Sequence, residues 1–283
     1  MYGFFLFLFG AAIGSFLNVV DLRYDGDHFV FDANVLGGRS HCPHCKKTLH
    51  WFELFPIVSF FVQGGKCRGC RVPISFQYPL VEIVSGLIFL FVPLHFMPLY
   101  GGLAGIAFIA LWVIAFEILL LVALIDFKLG IIPDELNIAL GVIGIFTMII
   151  AAGNFGAGNN SFLGPYAAVF GAQSAIWISR LVGALAGGLF FGSLVLVTRG
   201  KGMGMGDVKF AIALGLLFGW PDIALLSCFA FILGAIVGLS FIGFGKKTMK
   251  GSIPFGPFLV IGAAIVFFFG MPIVGSYFSL IGV

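Results

Sequence analysis

Charged residues are scarce in this chain of 283 residues, where Asp, Glu, Lys and Arg together make up 10% of the sequence. An ordinary soluble domain carries about 25%. Apolar residues account for 60%, phenylalanine alone occurs 36 times, and the mean hydropathy is +1.14. This composition excludes an ordinary soluble protein and predicts an all-α protein that crosses a membrane several times.

Other absences narrow the function. The chain has no His-Glu-x-x-His sequence, which argues against a common type of zinc metalloprotease. No glycine-rich nucleotide fingerprint lies in a strand–helix unit, and no internal repeat favours a transporter. The first 20 residues lack a basic start and a small-residue cleavage site, so we expect a retained first span. We expect a lipid bilayer around the chain and no nucleic-acid partner.

Apolar runs of up to about 20 residues recur along the chain, the length that a bilayer core requires. They predict about eight transmembrane helices, at Tyr2–Val20, Pro79–Phe96, Leu103–Ile125, Leu136–Ala152, Ala175–Val197, Val208–Trp220, Ile223–Phe244 and Ile253–Met271. The sixth run is short, and whether it crosses the membrane fully stays open. The glycine-rich Gly153–Gly171 segment predicts a flexible loop.

A polar stretch separates the first two spans and divides the chain into three parts. We predict a first transmembrane helix over residues 1–20, a small water-exposed domain over residues 21–78, and a seven-helix membrane domain over residues 79–283. The polar stretch holds seven of the fifteen basic residues. If this stretch is cytosolic, fourteen of the fifteen basic residues lie on the cytosolic side of the membrane and only Arg180 lies near the other side. This distribution agrees with the positive-inside rule. Both termini are then predicted to be extracytoplasmic.

Four of the five cysteines form two pairs, Cys42-Pro-His-Cys45 and Cys67-Arg-Gly-Cys70, separated by 21 residues. This spacing is typical of a structural zinc site with four thiolate ligands and no open coordination position. Two disulfides are the competing interpretation, which cytosolic reducing conditions disfavour. His41 and His44 are expected to be bystanders, and Cys228 a buried small side chain within a span.

Two aspartates are predicted to lie at the same face of the membrane. Asp126 ends the third span, and Asp207 follows Gly204-Met205-Gly206 at the start of the sixth. Two carboxylates held close together cannot both ionise cheaply, so the pair can supply a general acid and a general base. The alternative is two interfacial acids, solvated or paired with Lys128 and Lys209.

Three more acids have simpler interpretations. Glu117 is expected within the bilayer as a protonated structural partner, because its depth limits access to water. Glu82 is either a boundary residue or a binding group. Asp134, which follows Pro133, is expected to cap the next helix.

Several stretches together resemble the type IV prepilin peptidases, the bacterial leader peptidases of pilin and type II secretion systems. In order they are Gly14-Ser15-Phe16-Leu17-Asn18, the two cysteine pairs, Tyr78-Pro79-Leu80-Val81-Glu82, Leu124-Ile125-Asp126 with Pro133-Asp134, Gly204-Met205-Gly206-Asp207, and Ile253-Pro254-Phe255-Gly256-Pro257-Phe258. The glycine-x-glycine-aspartate element is shared with presenilin-like proteases. The resemblance covers roughly residues 14–258.

The resemblance implies that Asp126 and Asp207 are the catalytic pair of an aspartyl endopeptidase in the bacterial inner membrane. It implies cleavage of a prepilin or pseudopilin leader after a glycine at the cytosolic face. It also implies methylation of the new N-terminus with S-adenosylmethionine, whose binding residues are unknown. The chain departs from the family at Gln77, where an arginine is common, and over Trp51–Ser59. A peptidase without methyltransferase activity and a proton-coupled transporter remain the alternatives.

Overall fold

The computed structural model of the chain describes residues 2–96, 101–154, 161–171, 175–243 and 253–281. These residues form ten α-helices and two 3-10 helices with no strand, which confirms the prediction of an all-α protein. Seven helices are long and apolar enough to cross a membrane. The chain divides into two compact units, residues 1–99 and 100–283, and each is described by itself.

In the first unit, two long helices pack closely against each other. They are α1 (Tyr2–Arg23) and α4 (Gln77–Phe96), with the short helices α2 (Ala33–Leu36) and α3 (Val58–Val62) between them. A Cβ added at Gly10 would lie 2.7 Å from the carbonyl oxygen of Ser85, so the two backbones nearly touch. The Ser85 hydroxyl donates to the Gly10 carbonyl at 2.6 Å. Small residues at such a crossing are the usual means of packing helices in membranes, where apolar burial gives no driving force.

Polar bonds hold the end of α4 against α1. Asn18, which is 1% exposed, donates to the carbonyl oxygens of Gly14 and Tyr78. Gln77 donates a hydrogen bond of 3.0 Å to the buried carboxylate of Asp21. A neutral amide therefore contacts this acid.

The described residues of the second unit form six α-helices. They are α5 (Gly102–Leu129), α6 (Asp134–Asn154), α7 (Ile176–Thr198), α8 (Met205–Phe218), α9 (Asp222–Gly243) and α10 (Gly256–Ile281). Of the eight predicted spans, the sixth forms α8, whose 14 residues measure about 21 Å, less than the roughly 30 Å of a bilayer core. The last span, predicted to end near Met271, continues to Ile281.

Glycines set the register between the antiparallel helices α7 and α8. A Cβ at Gly183 would lie 2.8 Å from the Gly215 carbonyl oxygen, and one at Gly187 would lie 2.8 Å from that of Ala211. Further along, a Cβ at Gly192 would lie 4.0 Å from Val208. Because α7 continues for six residues beyond Gly192, its end extends about 7 Å past the level of Asp207.

A buried polar cluster lies at the opposite end of α8, around Asp222. This carboxylate is fully buried and accepts hydrogen bonds from the Ser161 hydroxyl at 2.6 Å and the Phe162 N–H at 3.1 Å. The flexible loop predicted over Gly153–Gly171 is therefore wrong for residues 161–171, which are bonded to α9 and contain the 3-10 helix Gly164–Phe170. The predicted loop residues 155–160 lie outside the described residues.

Candidate active site and metal centre

Asp126 lies in the last turn of α5 and is 4% exposed. The helix stops at Gly130, whose φ of +69° is a left-handed conformation that glycine adopts without strain. Oδ2 of Asp126 accepts a hydrogen bond of 2.8 Å from the backbone N–H of Gly256, the first residue of α10. The N-terminus of a helix carries free N–H groups and a partial positive charge, so it stabilises a carboxylate there.

Asp207 lies in the first turn of α8, after the predicted glycine-rich approach. Its Oδ2 accepts a hydrogen bond of 3.1 Å from the N–H of Gly204, the N-cap residue. Each of the two carboxylates is thus bound by an N–H at a helix N-terminus: Asp126 by that of α10 and Asp207 by that of its own helix.

The structure brings the two aspartates together, although 81 positions separate them in the sequence. Their carboxylates interact electrostatically, each opposing the negative charge of the other. The segment after α5 also contacts the start of α8, because a Cβ at Gly206 would lie 3.6 Å from the Cβ of Ile132. The catalytic role of the pair stays a prediction.

Lys209 does not form the ion pair with Asp207 that was the alternative interpretation of this acid. Nζ of Lys209 contacts both carboxylate oxygens of Asp134, at 2.7 and 2.9 Å. Both side chains are about half exposed. Asp134 is the first residue of α6, and its carboxylate binds this cation, so the expected capping role is replaced by an ion pair.

The other two acids lie apart from this pair along the chain. Glu117 is buried within α5, about two and a half turns before Asp126, as expected from its position in the sequence. Glu82 is buried on α4, and its Oε2 accepts a hydrogen bond of 2.6 Å from the Ile57 N–H. The Glu82 carboxylate is therefore engaged within its own chain, and both roles predicted for it, a boundary residue and a binding group, stay predictions.

The four paired cysteines form one cluster, with all four Sγ atoms within 4.8 Å of one another. The Sγ atoms of Cys42 and Cys70, and those of Cys45 and Cys67, are 3.9 Å apart. Tetrahedral zinc with Zn–S bonds of about 2.3 Å needs sulfurs about 3.8 Å apart. The residues present therefore fit a four-cysteine zinc site, and His41 and His44 are not part of the cluster.

The two cysteine pairs have the same backbone structure, displaced by 25 positions. Lys46 N–H donates to Cys42 O as Arg71 N–H donates to Cys67 O, each at 2.9 Å. Both Lys46 and Arg71 have a positive φ, 58° and 59°. Hydrogen bonds from the N–H groups of Cys70 and Gly69 lower the pKa of Cys67, which favours the thiolate form that binds metals. The pKa of Cys70 moves the other way: a hydrogen bond from the Val72 N–H lowers it, but burial and the neighbouring thiols together raise it more.

Cys228, by contrast, is exposed on the surface of α9, so the prediction that it is a buried small side chain is wrong. On an apolar helix of a membrane protein, a small side chain can either face lipid or pack in the core. The periodicity of the sequence does not distinguish these two positions.

Two residues that make buried hydrogen bonds in the second unit were not predicted from the sequence. Gly256 belongs to a stretch that matched the family, but nothing in the sequence assigned it to Asp126, 130 positions earlier. Asp222 had one available signal, since it is an acid directly before a long apolar run, where burial demands a partner.

The seven long apolar helices indicate a multi-pass membrane protein, in which two aspartates interact and four cysteines could hold a metal ion. The family described as bacterial peptidase A24 N-terminal domain matches residues 8–96, and the type IV leader peptidase family matches residues 113–239. The chain belongs to the type IV leader peptidase family.

The chain is similar to proteins named prepilin leader peptidase/N-methyltransferase, of which three are described here. The one from Aeromonas hydrophila is 31% identical over 97% of this chain and 93% of its own length. The one from Bacillus subtilis (strain 168) is 29% identical over 97% of both chains. The one from Legionella pneumophila is 30% identical over 95% of this chain and 92% of its own. No solved structure matches the chain.

Proposed function

We propose that the chain is a prepilin peptidase and N-methyltransferase of the bacterial inner membrane, with Asp126 and Asp207 as its catalytic pair. The observation that carries the peptidase assignment is that two buried carboxylates, each bound by an N–H at a helix N-terminus, are close enough to interact electrostatically. The family and the names of the relatives support the same reaction.

In the proposed mechanism, one carboxylate is ionised and the other keeps a proton, since repulsion between two neighbouring negative charges opposes ionisation of both. The ionised carboxylate removes a proton from water as the water oxygen attacks the scissile carbonyl carbon. The protonated one donates to the carbonyl oxygen. Collapse of the tetrahedral intermediate breaks the C–N bond. The leaving amine takes the proton that the first carboxylate removed from water, and a hydroxyl of the intermediate returns a proton to the second carboxylate. The helix N-termini hold the carboxylates in place for these transfers.

The position of the acids fits a substrate with a short basic leader and an apolar helix. The positive-inside rule, with fourteen of the fifteen basic residues predicted on one side, supports a cytosolic position for the end of α5 that carries Asp126 and the end of α8 that carries Asp207. The leader then stays in the cytosol and the apolar helix lies in the bilayer. The bond between them, after a glycine, is held at the depth of Asp126 and Asp207.

The methyl transfer is proposed from the relatives' names. S-adenosylmethionine would supply the methyl group to the new N-terminal amine, and no set of described residues is assigned to it. The zinc at Cys42, Cys45, Cys67 and Cys70 is proposed to be structural, because four thiolates complete its coordination.

Purified protein incubated with a prepilin tests both activities by mass spectrometry. We expect a product shortened by the leader, and a further 14 Da only when S-adenosylmethionine is added. Asp126→Asn and Asp207→Asn should each lower cleavage by about 10³-fold or more, and the double variant little further, because the two act as one unit. Cleavage at the normal rate in either folded single variant would contradict the peptidase mechanism and favour a proton carrier. Cleavage with no added mass would leave a peptidase alone.

A further inference from the structure

A strongly apolar segment lies between the two cysteine pairs, over residues 51–62, and we call it the aromatic segment. It contains the 3-10 helix Trp51–Glu53 and the helix α3. Its large side chains point away from the rest of the unit: the exposed fraction is 80% for Trp51, 64% for Phe61 and 69% for Val62. Phe52, Leu54, Phe55 and Val58 are also exposed. A contiguous apolar surface of this kind marks a contact with a membrane or another molecule.

The charges of this region are arranged around the apolar surface. Glu53 is the only charged residue of the aromatic segment, and it is 6% exposed because its carboxylate binds the His50 N–H and Lys47. The His50 bond lowers the pKa of Glu53, so the buried acid is ionised at neutral pH. Basic residues border the segment, and the Arg68 guanidinium lies 5.2 Å from the centre of the Phe52 ring. An apolar face bordered by cations suits anionic phospholipids.

A hydrogen bond fixes the depth of the aromatic segment relative to a membrane-spanning helix. The Ile57 N–H donates to Glu82, which is the sixth residue of α4 and lies about 7.5 Å along the helix from Gln77. The 20 residues of α4 measure about 30 Å, the thickness of the bilayer core. Ile57 therefore lies several ångströms below the end of a helix that fills the core, the depth at which interfacial segments bury their apolar face, about 5–10 Å.

The backbone is strained at Ile57, the residue that donates to Glu82. The hydrogen bond is therefore kept although the local conformation is unfavourable. Ile57 has φ 62° and ψ −56°, and the Val58 N–H donates to the Pro56 carbonyl across it. This is a γ-turn of the rare form, and for a β-branched residue a positive φ is a true outlier. Such strain persists where the surroundings fix the residue, here through the bond to Glu82.

From these observations we propose that the aromatic segment inserts into the interfacial layer of the bilayer, in the leaflet where α4 begins, and that it favours anionic phospholipids there. Trp51, Phe55 and Phe61 would lie among the upper acyl chains, and Arg68 at the headgroups. The proposal concerns membrane contact and stands independently of the reaction at Asp126 and Asp207.

Fluorescence of Trp51 tests the proposal in the full-length, zinc-loaded protein. The protein and its Trp51→Phe variant are placed in nanodiscs of phosphatidylcholine and phosphatidylglycerol, with acyl chains brominated near the headgroup. The difference between the two emission signals reports on Trp51, since Trp112, Trp177 and Trp220 are common to both. We expect the difference signal to fall by at least half with brominated lipid, and aqueous acrylamide to quench it weakly.

A matched pair of substitutions separates the aromatic segment from other exposed rings. Phe61→Asp should reduce the quenching of Trp51 by brominated lipid at least twofold. Phe31→Asp should not, since Phe31 is similarly exposed, at 58%, but adjoins the acidic residues Asp25, Asp27 and Asp32. Unchanged zinc content shows that each variant is folded.

Strong quenching of Trp51 by acrylamide with no effect of brominated lipid would overturn the proposal. Protection that appears only after a prepilin is added would also overturn it, because the segment would then bind substrate rather than lipid. Equal quenching in phosphatidylcholine alone would refute the preference for anionic lipid. Cleavage activity is measured separately, so a failure here is distinguishable from a failure of the proposed peptidase.

Discussion

The Gly256 N–H donates to Asp126 at 2.8 Å, and a Cβ at Gly256 would lie only 2.6 Å from the same carboxylate oxygen. Gly256→Ala should therefore displace Asp126 or the start of α10. A shift of about 1 Å at a catalytic group can cost about 100-fold in rate, so we expect a loss of that order in prepilin cleavage. Gly153→Ala is the control, since nothing lies within 4 Å of its added Cβ. Equal activity of both variants would contradict the packing described here.

The cysteine cluster predicts one equivalent of zinc in protein purified without chelators. Cys42→Ser and Cys70→Ser, one from each pair, should each lower the metal content well below one equivalent. Cys228→Ser should keep it, because that residue lies on α9 outside the cluster. Metal analysis by mass spectrometry measures all three. Less than about half an equivalent in the unmodified protein would argue against a zinc site.

The orientation of the chain can be tested with two matched substitutions in a Cys228→Ser background. Asn154→Cys lies at the end of α6 far from Asp134, and Asn34→Cys lies in α2, between the first two membrane helices; both side chains are exposed. The positive-inside rule predicts that an impermeant thiol reagent labels the first in intact cells and not the second. The reverse labelling would invert the topology.

The ion pair between Asp134 and Lys209 should matter little to catalysis. Half-exposed pairs contribute about 0–1 kcal/mol, so Asp134→Asn should change cleavage by no more than about fivefold. Glu117→Gln should likewise keep substantial activity, because a buried glutamate two and a half turns from Asp126 acts through packing. A loss of about 10³-fold in either variant, as predicted for Asp126→Asn, would place that acid in the catalytic set.

Asp222 is predicted to hold residues 161–171 against α9. Asp222→Ala removes the acceptor for Ser161 and Phe162 and should destabilise the protein by about 1.5–3 kcal/mol, the range for hydrogen bonds to a charged group. Ser161→Ala removes one of these donors and should cost less. Thermal unfolding in detergent, compared at a fixed detergent concentration, measures both. An unchanged midpoint in Asp222→Ala would contradict this role of Asp222.

Local patterns predicted what depends on local chemistry. The apolar runs identified the helices, because backbone groups in lipid must be bonded within one segment. The cysteine spacing predicted the cluster of four thiols, and the positions of Asp126 and Asp207 at span ends predicted that they share a face. These inferences need only residue type and distance along the chain.

Contacts between distant segments could not be predicted in this way. The bond from Gly256 to Asp126 and that from Ser161 to Asp222 join residues 130 and 61 positions apart. Glycine and serine occur at many positions of the sequence, so the residue type alone does not show that Gly256 and Ser161 make these hydrogen bonds. The predicted burial of Cys228 was wrong for a related reason, because the lipid face and the packed face of an apolar helix have similar sequences.

The shortness of α8 has a consequence for the substrate. Its 14 residues fall about 9 Å short of the bilayer core, and Asp207 lies about 7 Å below the end of α7. Under the proposed function, we expect the polar residues that connect α7 and α8 to carry the water boundary inward, down to the two carboxylates. A peptide bond at the end of an apolar helix would then be hydrolysed where it already lies, while that helix stays in the lipid.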